Sequence, residues 1–295
     1  MGIDEPYDTL MERVSGLDGV VMVIGEAETG RTTLAKMLLR AAVERGRTVA
    51  YVDGDVAAAT VGPIACVGLK IVSSVEECED LDDPDELRFV GAIEPNGVVL
   101  PHVVAVSALV DIARESADLV ICDTTNVVTG VVGQTLKYHL VELAQPSLVV
   151  AITRGSELDP VIGMLRRFLS ARVAVVEPTG DVAPVSPGEL QDLRSEALRR
   201  NLGDDPPRWR VQTTVFAPTL PDGFDVSRLD GMLVGVQDER GRCLGLGVLE
   251  HESGAVKVAT KYGDEMRGLR LGSMRVNLDT FATSRVRLRE LIFGV

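Results

Sequence analysis

A short apolar run that ends at a glycine-rich turn constrains this chain more than any other feature. Residues 19 to 24 read GVVMVI, which is typical of a strand buried on both faces of a parallel sheet. The next segment, GEAETGRTT at 25 to 33, has the spacing G-x-x-x-x-G followed by a basic and a hydroxyl residue. A helical pattern of apolar residues then runs from Thr32 to a stop at Gly46. A strand, a glycine-rich turn and a helix in this order predict a loop that binds the phosphates of a nucleotide.

The chemistry of this loop follows from its backbone. Glycines let successive N–H groups point at phosphate oxygens, and the positive end of the helix adds attraction. A tight turn without a ligand is the alternative, and the flanking strand and helix disfavour it. Thr32 is placed to ligate Mg²⁺, whereas Arg31 stands where this motif has lysine, so we expect nucleotide binding to survive and turnover to suffer. The predicted nucleotide-binding residues are Gly25, Glu26, Ala27, Glu28, Thr29, Gly30, Arg31, Thr32 and Thr33.

The order of the remaining segments predicts the fold class. A second strand ends in VDGD at 52 to 55, and further apolar runs alternate with helical patterns. Such alternation predicts an α/β fold of the P-loop NTPase type, with a doubly wound parallel sheet. The later strands are expected at 119 to 125, 147 to 153 and 171 to 178, and the helices at 101 to 116, 131 to 145 and 157 to 170.

A change of pattern follows the sequence Asp205-Pro206-Pro207. Short β-like runs separated by turn residues predict a small β-rich domain at the C-terminal end. We therefore expect an N-terminal extension at 1 to 18, a P-loop domain at 19 to 205 and a β-rich domain at 206 to 295.

Composition narrows the classes of function. The formal charge of -14 disfavours sequence-independent binding to a phosphate backbone, so any such binding needs a local cluster of arginines. Four cysteines without C-x-x-C spacing argue against a disulfide framework or a zinc site, and they fit a reducing cytoplasm. The opening residues lack the pattern of a secretory signal, and no apolar run is long enough to span a bilayer, so we expect a cytoplasmic protein.

Three aspartates follow predicted strands. Asp53 and Asp55 end the second strand, and Asp123 ends the apolar run LVICD in the form of a Walker B strand. Carboxylates at this edge of a parallel sheet lie beside the phosphate crevice, where they can hold hydrated Mg²⁺ or accept a proton from an attacking hydroxyl. Each could instead cap a turn. Both interpretations stay open for Asp53, function is favoured for Asp55, and the P-loop upstream favours function for Asp123. The predicted metal-binding residues are Thr32, Asp55 and Asp123.

A basic helix is expected to begin near Ser186. Arginines on a mobile helix can close over a triphosphate and stabilise charge on the transferred group. Taken alone, the residues favour a solvated helix whose arginines pair with neighbouring acids. The arginines concerned are Arg194, Arg199 and Arg200.

Taken in order, these segments resemble the polynucleotide 5′-hydroxyl kinase family, whose members take part in messenger RNA 3′-end formation, transfer RNA splicing and ribosomal RNA maturation. The resemblance runs from about Gly19 to about Asn277. YVDGDVAAATVGPI is similar to the family's D-x-D-x-G-Q strand and turn, and FVGAIEPNG at 89 to 97 to its F-V-G-x-x-x-P-x-G segment. DTTNVVTGVVGQTLKYHL is similar to the segment that clasps the substrate, and 186 to 202 to an arginine lid helix.

The resemblance implies a P-loop kinase domain that transfers the γ-phosphoryl group of ATP, with Mg²⁺, to the 5′-hydroxyl end of RNA in preference to DNA. It implies that Asp55 lies beside the metal and the attacking hydroxyl. The implied catalytic residues are Asp55, Arg31, Arg194 and Arg199. The implied substrate clasp is Thr124, Thr125, Asn126 and Val127.

Three positions depart from the family pattern. Arg31 replaces the P-loop lysine, Ala58 the glutamine of D-x-D-x-G-Q, and Val127 the clasp aromatic that would stack on a base. We also find no counterpart, before Gly19, of the N-terminal β-domain in longer eukaryotic members, so we expect a compact form. The departures leave two alternatives open: an ATP-binding scaffold of an RNA-processing complex, and a kinase for a small hydroxylated metabolite.

Overall fold

The structure, a computed structural model, describes residues 6 to 178, 180 and 185 to 294. Contacts divide the chain into two compact units. The first comprises Met1–Gly62, Val67–Glu86 and Val99–Pro184, and the second Pro63–Cys66, Leu87–Val98 and Val185–Val295. The predicted domain bounds at 18 and 205 stay a prediction.

A seven-stranded sheet in the order β4-β3-β2-β5-β1-β6-β7 forms the frame of the P-loop region. β1 is buried from Val20 to Gly25, as an apolar run ending in glycine predicts. The pairs β1–β5, β1–β6, β2–β5 and β6–β7 are parallel, whereas β3 runs antiparallel to β2. The strands are β1 Gly19–Gly25, β2 Val49–Gly54, β3 Cys66–Val72, β4 Glu86–Phe89, β5 Leu119–Thr124, β6 Leu148–Ile152 and β7 Val173–Val176.

Helices cover both faces of this sheet. α1 and α2 share a core with one side of the strands, which includes Val21, Val23 and Tyr51. α3 packs against β1, β2 and β5, outside that core. α3 also packs against α4, and α4 packs against α5. This arrangement confirms the predicted doubly wound α/β fold. The helices are α1 Tyr7–Ser15, α2 Arg31–Val43, α3 Val99–Ser116, α4 Gly130–Ala144 and α5 Asp159–Leu169.

Three elements of this region were not predicted: α1, β3 and β4. α1 lies within the expected N-terminal extension, and its Leu10 and Val14 are fully buried in the core with α2. Its short apolar stripe gains stability only from that packing. β3 and β4 lie on either side of the acidic run near residues 75 to 86. The turn residues of this run interrupt the alternation of apolar and polar residues by which a strand is predicted.

The second unit contains a β-rich sheet, as predicted for the C-terminal part. Its strands run in the order β14-β13-β10-β11-β12-β8, with β9 beside β13. α6 begins with a capping box, in which the Ser186 hydroxyl accepts from the Glu189 N–H and the Glu189 side chain accepts from the Ser186 N–H. The elements are α6 Pro187–Leu202, β8 Arg208–Val211, β9 Phe216–Ala217, β10 Met232–Gln237, β11 Cys243–Glu252, β12 Ala255–Ala259, β13 Gly268–Val276, β14 Thr283–Arg285 and α7 Leu288–Phe293.

Two global features complete the description. Within the described residues, none of the helices is both long and apolar enough to cross a membrane. The four cysteines are free thiols, and Cys66 and Cys243 are buried within hydrogen-bond contact of each other.

Candidate active site

The P-loop turn joins the end of β1 to the start of α2. Glu28 and Gly30 adopt left-handed backbone conformations, with φ of 61° and 78°. Gly30 is also the N-cap of α2 and supplies no side-chain cap to the first N–H groups of the helix. A Cβ added to Gly25 would lie 2.6 Å from Oγ1 of Thr29, so this position has room only for glycine. The turn therefore presents uncapped N–H groups at a helix N-terminus, which is a site that binds anions.

Arg31 links this turn to two carboxylates. Its Nη2 donates to Oδ2 of Asp55 at 2.6 Å, and its Nε donates to Oδ1 of Asp123 at 2.9 Å. Nη1 donates to the carbonyl of Gly25 at 3.0 Å. Burial opposes the charge, but attraction to Asp123 and Asp55 prevails and the pKa of Arg31 is raised. Arg31, which stands where the motif has lysine, is thus the centre of a buried hydrogen-bond network.

Strand register places the carboxylates together. Asp123 pairs with Val23 of β1 on one side and with Asp53 of β2 on the other. Oδ2 of Asp123 accepts from the hydroxyl of Thr32 at 2.6 Å and from that of Tyr51 at 3.4 Å. The hydroxyl and carboxylate predicted to bind a metal are therefore in direct contact.

Asp53 and Asp55 have different surroundings. One oxygen of Asp53 accepts from the Asp55 N–H at 3.0 Å, and the other accepts from the N–H groups of Thr60 and Val61. Burial, with the nearby charges of Asp123 and Asp55, raises the pKa of Asp53 to about 7, while these donors favour its carboxylate form. Both oxygens of Asp53 thus hold the turn, as the capping interpretation expects. Asp55 instead accepts from the Ala57 N–H through Oδ1 and from Arg31 through Oδ2.

The predicted clasp begins at Thr124, the last residue of β5. The hydroxyl of Thr124 donates to the carbonyl of Val23 at 2.8 Å. Thr125 is buried, and its Oγ1 has no partner within the described part of the chain. Asn126 is exposed and Val127 is partly exposed. The two threonines are therefore fixed in the fold, whereas Asn126 and Val127 face outward.

The predicted lid arginines lie in the second unit, on α6. The guanidinium of Arg199 lies 5.1 Å from the ring centroid of Phe281 and 3.3 Å from the Asp204 carboxylate. Nε of Arg194 is buried without a partner among the described residues. The Ser195 hydroxyl donates to the carbonyl of Phe281 at 3.3 Å, so the helix is tied to this residue at two points. Their action on a triphosphate stays a prediction.

Sequence reasoning missed three basic residues around the site. His102 of α3 is buried and its Nε2 lies 2.8 Å from the carbonyl of Gly54, the last residue of β2, between Asp53 and Asp55 in sequence. Lys137 of α4 is also buried and donates to the end of β5. The guanidinium of Arg154, after β6, donates to the carbonyl of Glu28 in the P-loop. For the first two a signal existed, since each is a titratable residue on the apolar face of a predicted helix.

The donor atoms fit a magnesium ion that also binds phosphate. Magnesium prefers oxygen ligands and is usually held by one or two carboxylates together with substrate phosphates. The adjoining Thr32 hydroxyl and Asp123 carboxylate are donors of this kind. Within the described part of the chain, no cluster of three histidines, cysteines or acidic residues could hold a metal by itself. The chemistry therefore suits a metal whose remaining ligands come from a nucleotide.

Comparison with known families agrees with this geometry. The family model described as mRNA cleavage and polyadenylation factor CLP1 P-loop matches residues 25 to 202, which is more than half of the chain. The chain belongs to this family. The match to the CLP1 P-loop family begins at the glycine that ends β1 and extends to the end of α6, so it includes the P-loop, both carboxylate strands and the arginine helix.

Individual relatives are similar over most of their length. The chain is 28% identical to a polyribonucleotide 5′-hydroxyl-kinase of Pyrococcus abyssi, and the alignment covers 94% of each protein. It is 28% identical to a polyribonucleotide 5′-hydroxyl-kinase of Pyrococcus horikoshii, covering 91% of this chain and 89% of the relative. A solved structure of a wild-type Clp1p–Pcf11p complex matches with a TM-score of 0.66 at 12% identity, over 90% of this chain and 77% of the other. At that identity the structural match supports the fold alone.

Proposed function

We propose that this protein is an ATP-dependent polynucleotide 5′-hydroxyl kinase that acts on RNA ends in preference to DNA ends. The observation that carries the proposal is the hydrogen-bonded chain from the P-loop through Arg31 to Asp55 and Asp123. It joins a phosphate-binding turn to carboxylates suited to activating a hydroxyl. The names of the archaeal relatives supply the acceptor class.

The transfer assigns a role to each part of the site. Backbone N–H groups of residues 25 to 33 hold the phosphates of ATP, and Arg31 offsets their charge. Asp55 accepts the proton of the terminal 5′-hydroxyl. The oxygen of that hydroxyl forms a bond to the γ-phosphorus while the bond to the β,γ-bridging oxygen breaks, and ADP leaves with that electron pair. Arg194 and Arg199 of α6 offset the charge that develops during transfer.

Magnesium would be held by Thr32 and Asp123, with Asp55 beside it. The ion supplies neutralisation of phosphate charge when it is bound. The protein residues keep their own tasks: Thr32 orients the Asp123 carboxylate at 2.6 Å, and Tyr51 donates to the same oxygen.

The segment from Thr124 to Val127 would receive the acceptor end. Its buried threonines give it a fixed base, and Asn126 and Val127 face outward toward the nucleic acid. Valine offers no ring on which a base could stack, so we infer a clasp weaker than an aromatic one. We place the protein in the cytoplasm, where its free thiols stay reduced.

An ATP-binding scaffold without transfer is the second candidate. The engagement of Arg31 with both carboxylates favours it, because the same guanidinium that would offset phosphate charge also neutralises the groups that would activate the acceptor. ATP binding without labelled product would decide for the scaffold.

The test is transfer of labelled γ-phosphate from ATP to matched RNA and DNA oligonucleotides that end in 5′-hydroxyl groups. We expect labelled product with RNA. Asp55→Ala should lower the rate of transfer by about 100-fold or more and leave ATP binding largely intact. Asp83→Ala, which changes an exposed aspartate, is the matched control and should retain the rate. Full activity of Asp55→Ala would remove Asp55 from the mechanism.

A further inference from the structure

Lys137 is a buried lysine that the proposed chemistry does not use. It lies on the apolar face of α4 with Leu136 and Leu140, and its side chain has no solvent exposure. Its Nζ donates to Oγ1 of Thr124 at 2.9 Å and to the carbonyl of Thr125 at 2.6 Å. The lysine therefore holds the two buried residues of the predicted clasp.

No salt bridge accounts for a lysine at this position. Over the described residues, no carboxylate lies within 4.0 Å of Nζ. Burying an ammonium group is costly, and an apolar side chain of similar length would fill the same space without that cost. The hydrogen bonds to the end of β5 are thus the direct contacts that the lysine makes and an apolar residue would not.

The contact continues toward the P-loop. Because the Thr124 hydroxyl gives its proton to the carbonyl of Val23, it accepts from Lys137 through a lone pair. Val23 lies on β1, two residues before Gly25. One chain of hydrogen bonds therefore runs from α4 through the end of β5 to the strand that leads into the P-loop.

A second contact of α4 also reaches the clasp. Gly133 lies one turn before Lys137 on the buried face of α4, and a Cβ added there would lie 2.4 Å from the carbonyl carbon of Val128. Val128 is buried and directly follows Val127. The same face of α4 thus packs closely against the end of the clasp at Gly133. Through Lys137 it forms hydrogen bonds with the start of the clasp.

We propose that Lys137 is a positioning residue for the acceptor: by holding Thr124 and Thr125, it sets the backbone from which Asn126 and Val127 meet the nucleic acid end. This inference rests on the proposed kinase function. Lys137 bonds Thr124 and Thr125 directly and reaches β1 only through Thr124, so its loss acts on the acceptor side first.

The test compares steady-state kinetics of Lys137→Met, which keeps length and removes the donor, with those of the parent protein. We expect the KM for a 5′-hydroxyl RNA oligonucleotide to rise at least tenfold and the KM for ATP to change less than threefold. Lys36→Met, an exposed lysine on α2, is the matched control and should leave both unchanged. Equal rises in both KM values, or a fall in kcat alone, would overturn the inference.

Thr124→Val provides a second variant, which removes the hydroxyl that accepts from Lys137 and donates to the carbonyl of Val23. We expect Thr124→Val to raise the KM for the oligonucleotide. The KM of the double variant should be no more than about twofold above that of Lys137→Met. Multiplicative losses in the double variant would mean that Lys137 does not act through Thr124.

A binding measurement separates this inference from the kinase proposal. Fluorescence anisotropy of a labelled RNA oligonucleotide with a non-hydrolysable ATP analogue reports acceptor binding without transfer. If the parent protein binds RNA but transfers nothing, the kinase proposal fails, and weaker binding by Lys137→Met still supports the positioning role. Unchanged binding by Lys137→Met would overturn that role whatever the transfer assay shows.

Discussion

The guanidinium of Arg31 and the carboxylate of Asp123 form a buried ion pair, with 2.9 Å between Nε and Oδ1. Arg31 is 7% exposed at its side chain and Asp123 is fully buried. Because the same guanidinium also reaches Asp55, the basic residue of the P-loop holds the carboxylates of Asp55, just after β2, and Asp123, in β5, in one network. In the proposed reaction ATP would share Arg31 with these carboxylates, and the first prediction follows from that competition.

Arg31→Lys should lower the stability of the nucleotide-free protein and strengthen ATP binding. A lysine has one ammonium group and cannot donate in the planar fork that spans Asp55 and Asp123. We expect a loss of about 2 kcal/mol in the free energy of unfolding, measured by urea titration, and a lower KM for ATP with faster turnover. Arg40→Lys, an exposed arginine on the same helix, is the control. A slower variant with the parent's ATP affinity would show that the pocket has adapted to arginine.

His102 should make the stability of the protein depend on pH in the acidic range. Burial lowers the pKa of His102 to about 4, from an ordinary value of 6.5 in the unfolded chain. The unfolded state therefore binds this proton first, so stability is retained above pH 6.5 and lost as the pH falls toward 4. The loss due to this residue amounts to about 3 kcal/mol.

His102→Gln should flatten that part of the stability curve. Glutamine does not titrate, and its amide can still donate to the carbonyl of Gly54, as the neutral imidazole does through Nε2. Urea titrations between pH 4 and 7 measure the difference, with His139→Gln, on the surface of α4, as the control. If the free energy of unfolding falls with pH equally in the parent and in His102→Gln, another group governs the loss of stability in acid.

Arg199→Ala should slow transfer more than it weakens the fold. Its contacts with Phe281 and Asp204 are a cation–π pair and a surface ion pair, which together contribute about 1 kcal/mol or less. An arginine that offsets charge during phosphoryl transfer contributes much more to rate, so we expect kcat to fall about 100-fold or more. Arg200→Ala, the exposed neighbour on α6, should keep the parent's kcat. Equal effects of the two variants would assign the arginines of α6 to a solvated surface.

Val127→Trp should strengthen acceptor binding. An aromatic ring on which a base stacks contributes about 1 to 3 kcal/mol, so we expect the KM for single-stranded RNA to fall about tenfold. Val131→Trp, which places the same ring at an exposed position of α4, controls for nonspecific stacking. A gain in both variants would indicate a general affinity for RNA and not a clasp at residue 127.

Local sequence signals located most elements of the first unit. β1 and α2 were predicted because burial on both faces, a glycine turn and helical spacing are all encoded by neighbouring residues. In the second unit, the helix expected to begin near Ser186 is α6, and the structure adds a capping box at its start. α1 and β3 were not predicted, and both contribute residues to the core of the first unit, Leu10 and Val14 from α1 and Val72 from β3.

The sequence by itself determined that residues 25 to 33 form a glycine-rich turn between a buried strand and a helix of an α/β fold, because these properties depend on local backbone conformation and periodicity. Only the tertiary structure decided which side chains meet there. The register of β2, β5 and β1 brings Asp53, Asp123 and the P-loop strand together, and it lets Arg31 span carboxylates 24 and 92 residues away. His102 and Lys137 reach the same strand ends from helices whose packing no short stretch of sequence encodes.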